Sequence, residues 1–106
     1  MKRCYIAGKI TGLSEDEYKP LFEHAKKEVE KLGFEAVCPI DLPHNHEKTW
    51  QAYLREDLRA MLCCDLIYVI KNWDTSPGAR IEVRTAISIG MPVISQVSFG
   101  VSEQSR

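Results

Sequence analysis

A chain of 106 residues is long enough for one domain with a real core and leaves little room for insertions. Its 14 Lys and Arg against 15 Asp and Glu give a formal net charge of -1, which leaves no electrostatic footprint for a nucleic acid polymer or an anionic membrane. The longest mostly apolar stretches, Leu66 to Ile70 and Ile87 to Ile94, are far shorter than a bilayer span. The N-terminus enters a strand-like segment without a charged-then-apolar leader, so a cytoplasmic protein with no membrane partner is expected. Cys4, Cys38, Cys63 and Cys64 have no Cys-x-x-Cys spacing. Three of them lie in or beside apolar runs, where free cysteine behaves as a small hydrophobe rather than as a metal ligand or redox group.

In chain order, Cys4 to Ala7 predicts a first strand ended by Gly8, and Gly8-Lys9-Ile10-Thr11-Gly12 follows as a loop with two permissive backbone positions. A helix comes next. Leu21, Phe22, Ala25, Val29 and Leu32 form its apolar face before Gly33, and its start is either Pro20 in the first turn or a Ser14/Glu17 capping box one turn earlier. Phe34 to Cys38 reads as a second strand stopped by Pro39, and Asp41 to Lys48 as a polar loop. Thr49 caps a second helix, Trp50 to Leu62, with an inward stripe of Trp50, Leu54, Leu58, Met61 and Leu62 that Asp57 interrupts. Leu66 to Ile70 is uniformly apolar, the habit of a central parallel strand. Ser76-Pro77 opens a third helix running to Gly90, and Pro92 to Ser95 begins a fourth strand. Strand-helix alternation predicts an α/β fold: an open, mostly parallel sheet of four or five strands flanked by helices. Residues 1–97 form the expected domain, and Ser98 to Arg106 a polar tail.

Two backbone features suit an anion. The Gly8 to Gly12 loop follows a strand, so its amides can cradle a phosphate or carboxylate, or it is an ordinary glycine turn; it has neither the Gly-x-Gly-x-x-Gly nor the Gly-Lys-Ser/Thr signature. Ser76-Pro77-Gly78 offers a hydroxyl and unpaired amides at a helix start, a site for an anion or simply a cap. Glu82 borders the packed face of the third helix, where a carboxylate can serve as nucleophile, acid or base; the competing reading is a surface residue paired with Arg55 or Arg59. Asp57 is a second carboxylate beside an apolar face, and Arg80 is its possible structural partner. Tyr5 either orients a carboxylate or packs in the core. Asp41, His44 and His46 make too thin a ligand set for metal, so that loop is expected to flank the site, with no metal and no cofactor.

Across nearly the whole chain the sequence resembles the nucleoside 2-deoxyribosyltransferases and their nucleotide N-glycosidase relatives. The resemblance rests on Tyr5-Ile6-Ala7-Gly8, on Leu54 to Leu58 followed by Cys64 to Val69, and on Ser76 to Ala86, with Glu82 following Asp57 by 25 positions. It implies cleavage of an N-glycosidic bond, with Glu82 as nucleophile on the anomeric carbon, Asp57 as acid for the departing base and Tyr5 orienting Glu82. Ser76 matches the position that holds the 5′-phosphate in the monophosphate-specific branch, where the nucleoside-specific branch tends to Asp. It thereby implies a (deoxy)nucleoside 5′-monophosphate as small-molecule partner, with phosphate contacts from Gly8, Lys9, Ile10, Thr11, Gly12, Ser76, Gly78 and Arg80.

Two positions depart from the pattern: Arg80 and Val83 stand where glycine is usual. Arg80 either adds a phosphate contact or fills the sugar pocket. A non-catalytic nucleotide-binding or sensor module on the same fold is the alternative function. The resemblance also implies a homo-oligomer, with Trp50 and Tyr53 as either interface anchors or core residues.

Overall fold

In the computed structural model, which describes residues 1–96, seven main elements alternate along the chain. They are β1 (Arg3–Ala7), α1 (Glu15–Lys31), β2 (Glu35–Val37), α2 (Trp50–Leu62), β3 (Leu66–Val69), α3 (Pro77–Ser88) and β4 (Val93–Ser95). Short 3-10 turns occupy Pro39–Asp41 and Trp73–Thr75. The expected polar tail lies outside the described residues.

All strand pairs are parallel, and the sheet order is β2-β1-β3-β4. The central strands β1 and β3 are the apolar ones, while both edge strands are only three residues long, which limits the exposed backbone available for pairing. The two-residue period of β1 divides the core. Cys4 and Ile6 pack with Phe22, Ala25 and Val29 of α1, whereas Tyr5 and Ala7 face Met61 of α2 and Val83 and Ala86 of α3. α1 covers one face and the α2/α3 pair the other.

The sequence places the helix starts well where side-chain caps set them. Thr49 Oγ1 accepts the Ala52 N–H at 3.1 Å, and Ser76 Oγ accepts the Ala79 N–H at 3.2 Å. Of the two starts considered for α1, the capping box is the one formed: the Ser14 N–H donates to Glu17 Oε1 at 2.8 Å. Pro20 therefore sits inside the helix, at an exposed position where the carbonyl it leaves unpaired faces water. The apolar faces are narrower than the sequence suggests. Leu21 and Leu32 of the α1 face, and Trp50 and Leu62 of the α2 stripe, are exposed, because each lies at the rim or end of its stripe.

β1 leads outward to β2, and the chain then returns to the other side of β1 to form β3. The carboxyl ends of β1 and β3 are thus the switch point at which an open α/β sheet leaves a crevice. Their exits are pinned together: the Ile70 N–H donates to the Ala7 carbonyl at 2.8 Å, and a Cβ on Gly8 would lie 2.8 Å from Ile70 Cδ1 and 3.1 Å from its Cβ. Gly8→Ala is expected to lower stability by about 1–3 kcal/mol, read from urea unfolding. An unchanged midpoint would show that Ile70 yields freely.

The four cysteines are free thiols. Burial pushes Cys4 and Cys38 up to about 12 and Cys64 to about 11, so these act as apolar packing groups. None of the helices among the described residues is long and apolar enough to cross a membrane.

Candidate active site

A cavity of about 520 Å³ opens at that switch point, within the range of small-molecule sites. Its floor comes from the sheet and α3: Gly8 after β1, Ser76 and Gly78 at the start of α3, and Glu82 one turn further on. One wall is Trp50, Tyr53, Leu54 and Asp57 of α2, at helical spacings of three and four. The remaining walls are Ile10, Thr11 and Tyr18 on one side and Pro39, Ile40, His44 and Lys48 on the other.

Glu82 is only 4 % exposed, so the surface ion pair with Arg55 or Arg59 does not form. Arg59 instead pairs with Glu56 at 3.9 Å. The partner of Glu82 is Tyr5, whose hydroxyl donates to Oε2 at 2.7 Å from the middle of β1, 77 positions away in sequence. Burial pushes Glu82 up to about 8; the Tyr5 hydrogen bond opposes that rise by favouring the charged form, and Asp57 adds to it by repulsion. Tyr5 itself is raised well above 10 by burial and by Glu82, so it remains a hydrogen-bond donor.

Asp57 interrupts the α2 stripe because α2 passes from cavity to core at that point. Its Oδ1 is fully shielded and has no hydrogen-bond partner among the described residues, and His44 Nε2 stands 3.9 Å away. Burial, then the neighbouring Glu56, pushes Asp57 up to about 7. Two carboxyls at one cavity, one hydrogen-bonded by Tyr5 and the other held near neutrality, form an arrangement suited to nucleophile and acid.

The anticipated anion contacts divide. Gly8, Ile10, Thr11, Ser76 and Gly78 line the cavity. Lys9, Gly12 and Arg80 are not among its lining residues. The Lys9 N–H is taken by Asn72 Oδ1 at 3.1 Å. Gly12, at φ 92°, sits in a turn in which Ile10 O accepts the Leu13 N–H at 3.0 Å, a conformation that favours glycine. Arg80 is exposed, one position before Ile81 and two before the buried Glu82, which puts it on a different face of α3 from the cavity. It therefore neither fills the pocket nor pairs with Asp57.

Sequence reasoning missed Tyr18, Pro39, Ile40, Lys48 and Leu54 as cavity walls, and assigned Trp50 and Tyr53 to an interface or a core. The α2 signal was present as the run Trp50, Tyr53, Leu54, Asp57, one helical stripe ending in a carboxylate. His44 lines the cavity, and His44 and His46 are bonded to each other and to backbone carbonyls.

The parallel sheet order with helices on both faces defines an α/β protein with a cavity at its switch point. Its fold is similar to that of a 2-deoxyribosyltransferase from the psychrotolerant bacterium Bacillus psychrosaccharolyticus, with a TM-score of 0.65 and 18 % identity over 95 % of this chain and 80 % of that one. The chain belongs to the family described as Domain of unknown function (DUF4406), whose profile matches residues 2–95. No curated protein matches its sequence.

Proposed function

We propose that this protein cleaves the N-glycosidic bond of a deoxynucleoside 5′-monophosphate by double displacement. The observation that carries the reading is the meeting at one cavity of Glu82, held by Tyr5, with Asp57, whose shielded Oδ1 accepts no hydrogen bond from the described residues. Glu82 attacks the anomeric carbon as the bond to the base breaks, and the departing base nitrogen takes the proton of Asp57. Water or a second base then attacks the glycosyl ester, Asp57 accepts the proton released, and Glu82 is freed. Trp50 and Tyr53 give the base an aromatic wall. Ser76 anchors the phosphate: its oxygen accepts from Ala79, which leaves its own O–H to donate to a phosphate oxygen beside the amides of the α3 start.

Base release from a panel of deoxynucleotides and nucleosides, followed chromatographically with and without a free acceptor base, tests the reading and separates hydrolase from transferase. Tight nucleotide binding without base release from any substrate would overturn it in favour of a binding or sensor module. Ser76→Ala is expected to raise KM for the monophosphates about tenfold relative to the matching nucleosides, one charge-assisted hydrogen bond's worth. Equal changes for both substrate classes would remove the phosphate from Ser76.

A further inference from the structure

Four ring nitrogens beside the cavity account for an unexpected number of protons. His44 Nε2 lies 2.8 Å from the Pro39 carbonyl oxygen, and His46 Nδ1 lies 2.6 Å from the Glu47 carbonyl oxygen. A carbonyl oxygen only accepts, so both nitrogens carry hydrogen. The two remaining nitrogens, His44 Nδ1 and His46 Nε2, face each other at 3.0 Å, and that contact is a hydrogen bond only if one of them is protonated as well. Three protons on two imidazoles leave one ring cationic. We infer that His44 and His46 form an imidazole–imidazolium dyad with a single positive charge, placed against Asp57 to favour release of its proton.

The surroundings are built to hold such a pair. His44 has φ 50°, a left-handed conformation that an ordinary side chain adopts at a cost, and the Lys48 ammonium bonds its carbonyl. The Tyr53 ring lies 4.8 Å from the His44 ring and 4.9 Å, edge to face, from the His46 ring. From α2 the dyad meets Asp57, whose shielded Oδ1 is 3.9 Å from His44 Nε2. From its own loop the facing charge is Lys48, and from the turn after β2 the facing group is the Pro39 carbonyl. Asp41 on that turn is engaged elsewhere, by Lys26 of α1 at 2.8 Å. An ionised Asp57 would thus find its nearest compensating cation in the dyad, which makes His44 and His46 positioning residues for the acid.

The effect on catalysis rests on the proposed function; the charge of the dyad does not. Nitrogen-15 NMR of the full chain labelled in histidine, near pH 7, is expected to show three of the four ring nitrogens protonated and a scalar coupling across the N···N contact. Carbon-13 carboxyl NMR is expected to show the Asp57 midpoint moving up by about one pH unit in His46→Gln and in His44→Asn, the asparagine being tolerant of the left-handed backbone. Two protons on the four nitrogens, or an Asp57 midpoint that stays in place in a folded variant, would overturn the inference. If neither variant folds, the wild-type nitrogen spectrum decides alone. Neither readout uses turnover, so a protein that releases no base fails the proposed function without deciding the dyad.

Discussion

Glu82→Gln is expected to lower base release by about 10³-fold or more and, at the same time, to stabilise the fold above pH 8. The first effect follows from removing the carboxylate that Tyr5 holds at the cavity, since an amide oxygen cannot form the glycosyl ester. The second follows from burial. Glu82 has a folded value of about 8 against an ordinary 4.5, so the folded protein binds the proton more tightly than the unfolded chain. Its contribution to stability is full below about pH 4.5 and is lost as pH rises through 8. Glutamine keeps an acceptor for the Tyr5 hydroxyl and never has to ionise. Urea unfolding should therefore show a gain for the variant that grows with pH, by roughly 3 kcal/mol between pH 6 and pH 9. Base release retained by the glutamine variant would remove Glu82 as nucleophile. A stability difference independent of pH would mean that its charge is well solvated.

The second large effect is on pH dependence. In the proposed reaction the working form of the two carboxyls holds one proton: on Asp57, to donate, and absent from Glu82, to attack. With the pair titrating at about 7 and about 8, the rate should form a narrow bell with its maximum between those values. Below the lower value both groups are protonated and the nucleophile is lost; above the higher one both are ionised and the acid is lost. With the Tyr5 hydrogen bond in place Glu82 still lies at about 8, above Asp57 at about 7, so the productive arrangement is the less populated of the two single-proton forms. In Asp57→Asn the alkaline limb should disappear for substrates whose base departs without protonation. The remaining limb should report Glu82 alone, whose value falls below about 8 because the Asp57 charge that raises it is gone. A profile flat from pH 5 to 9 in the wild type would be incompatible with two buried carboxyls doing this chemistry.

Much of this arrangement was legible from residue order because the signals are local. Thr49 and Ser76 mark helix starts through a side-chain hydrogen bond within three residues, and the apolar runs at Cys4 and Leu66 mark central strands. Asp57 and Glu82 were legible as carboxylates beside apolar helix faces, whereas Tyr5 had two readings and was placed at Glu82 only by the family resemblance. What stayed hidden depends on chain paths that carry no period. The loop from Pro39 to Lys48 folds back over the cavity through carbonyl contacts at His44 and His46, and nothing in its polar composition specifies that return. Arg80 was placed near the phosphate by its neighbours in sequence, yet a helix turns about 100° per residue, and two positions from Glu82 is another face. Lys9 sits in the glycine loop as anticipated, but a side-chain oxygen of Asn72, 63 positions away, claims its amide.

The division of α2 at Asp57 separates two kinds of mutational consequence along a single helix. Residues ahead of that point, Trp50, Tyr53 and Leu54, touch the cavity, while Leu58 and Met61 behind it touch the sheet. Changes in the leading turns alter what the protein accepts with little effect on how firmly it folds, and changes in the trailing turns do the reverse. A chain that keeps the back half of this helix and varies the front can therefore reshape its cavity without rebuilding its core.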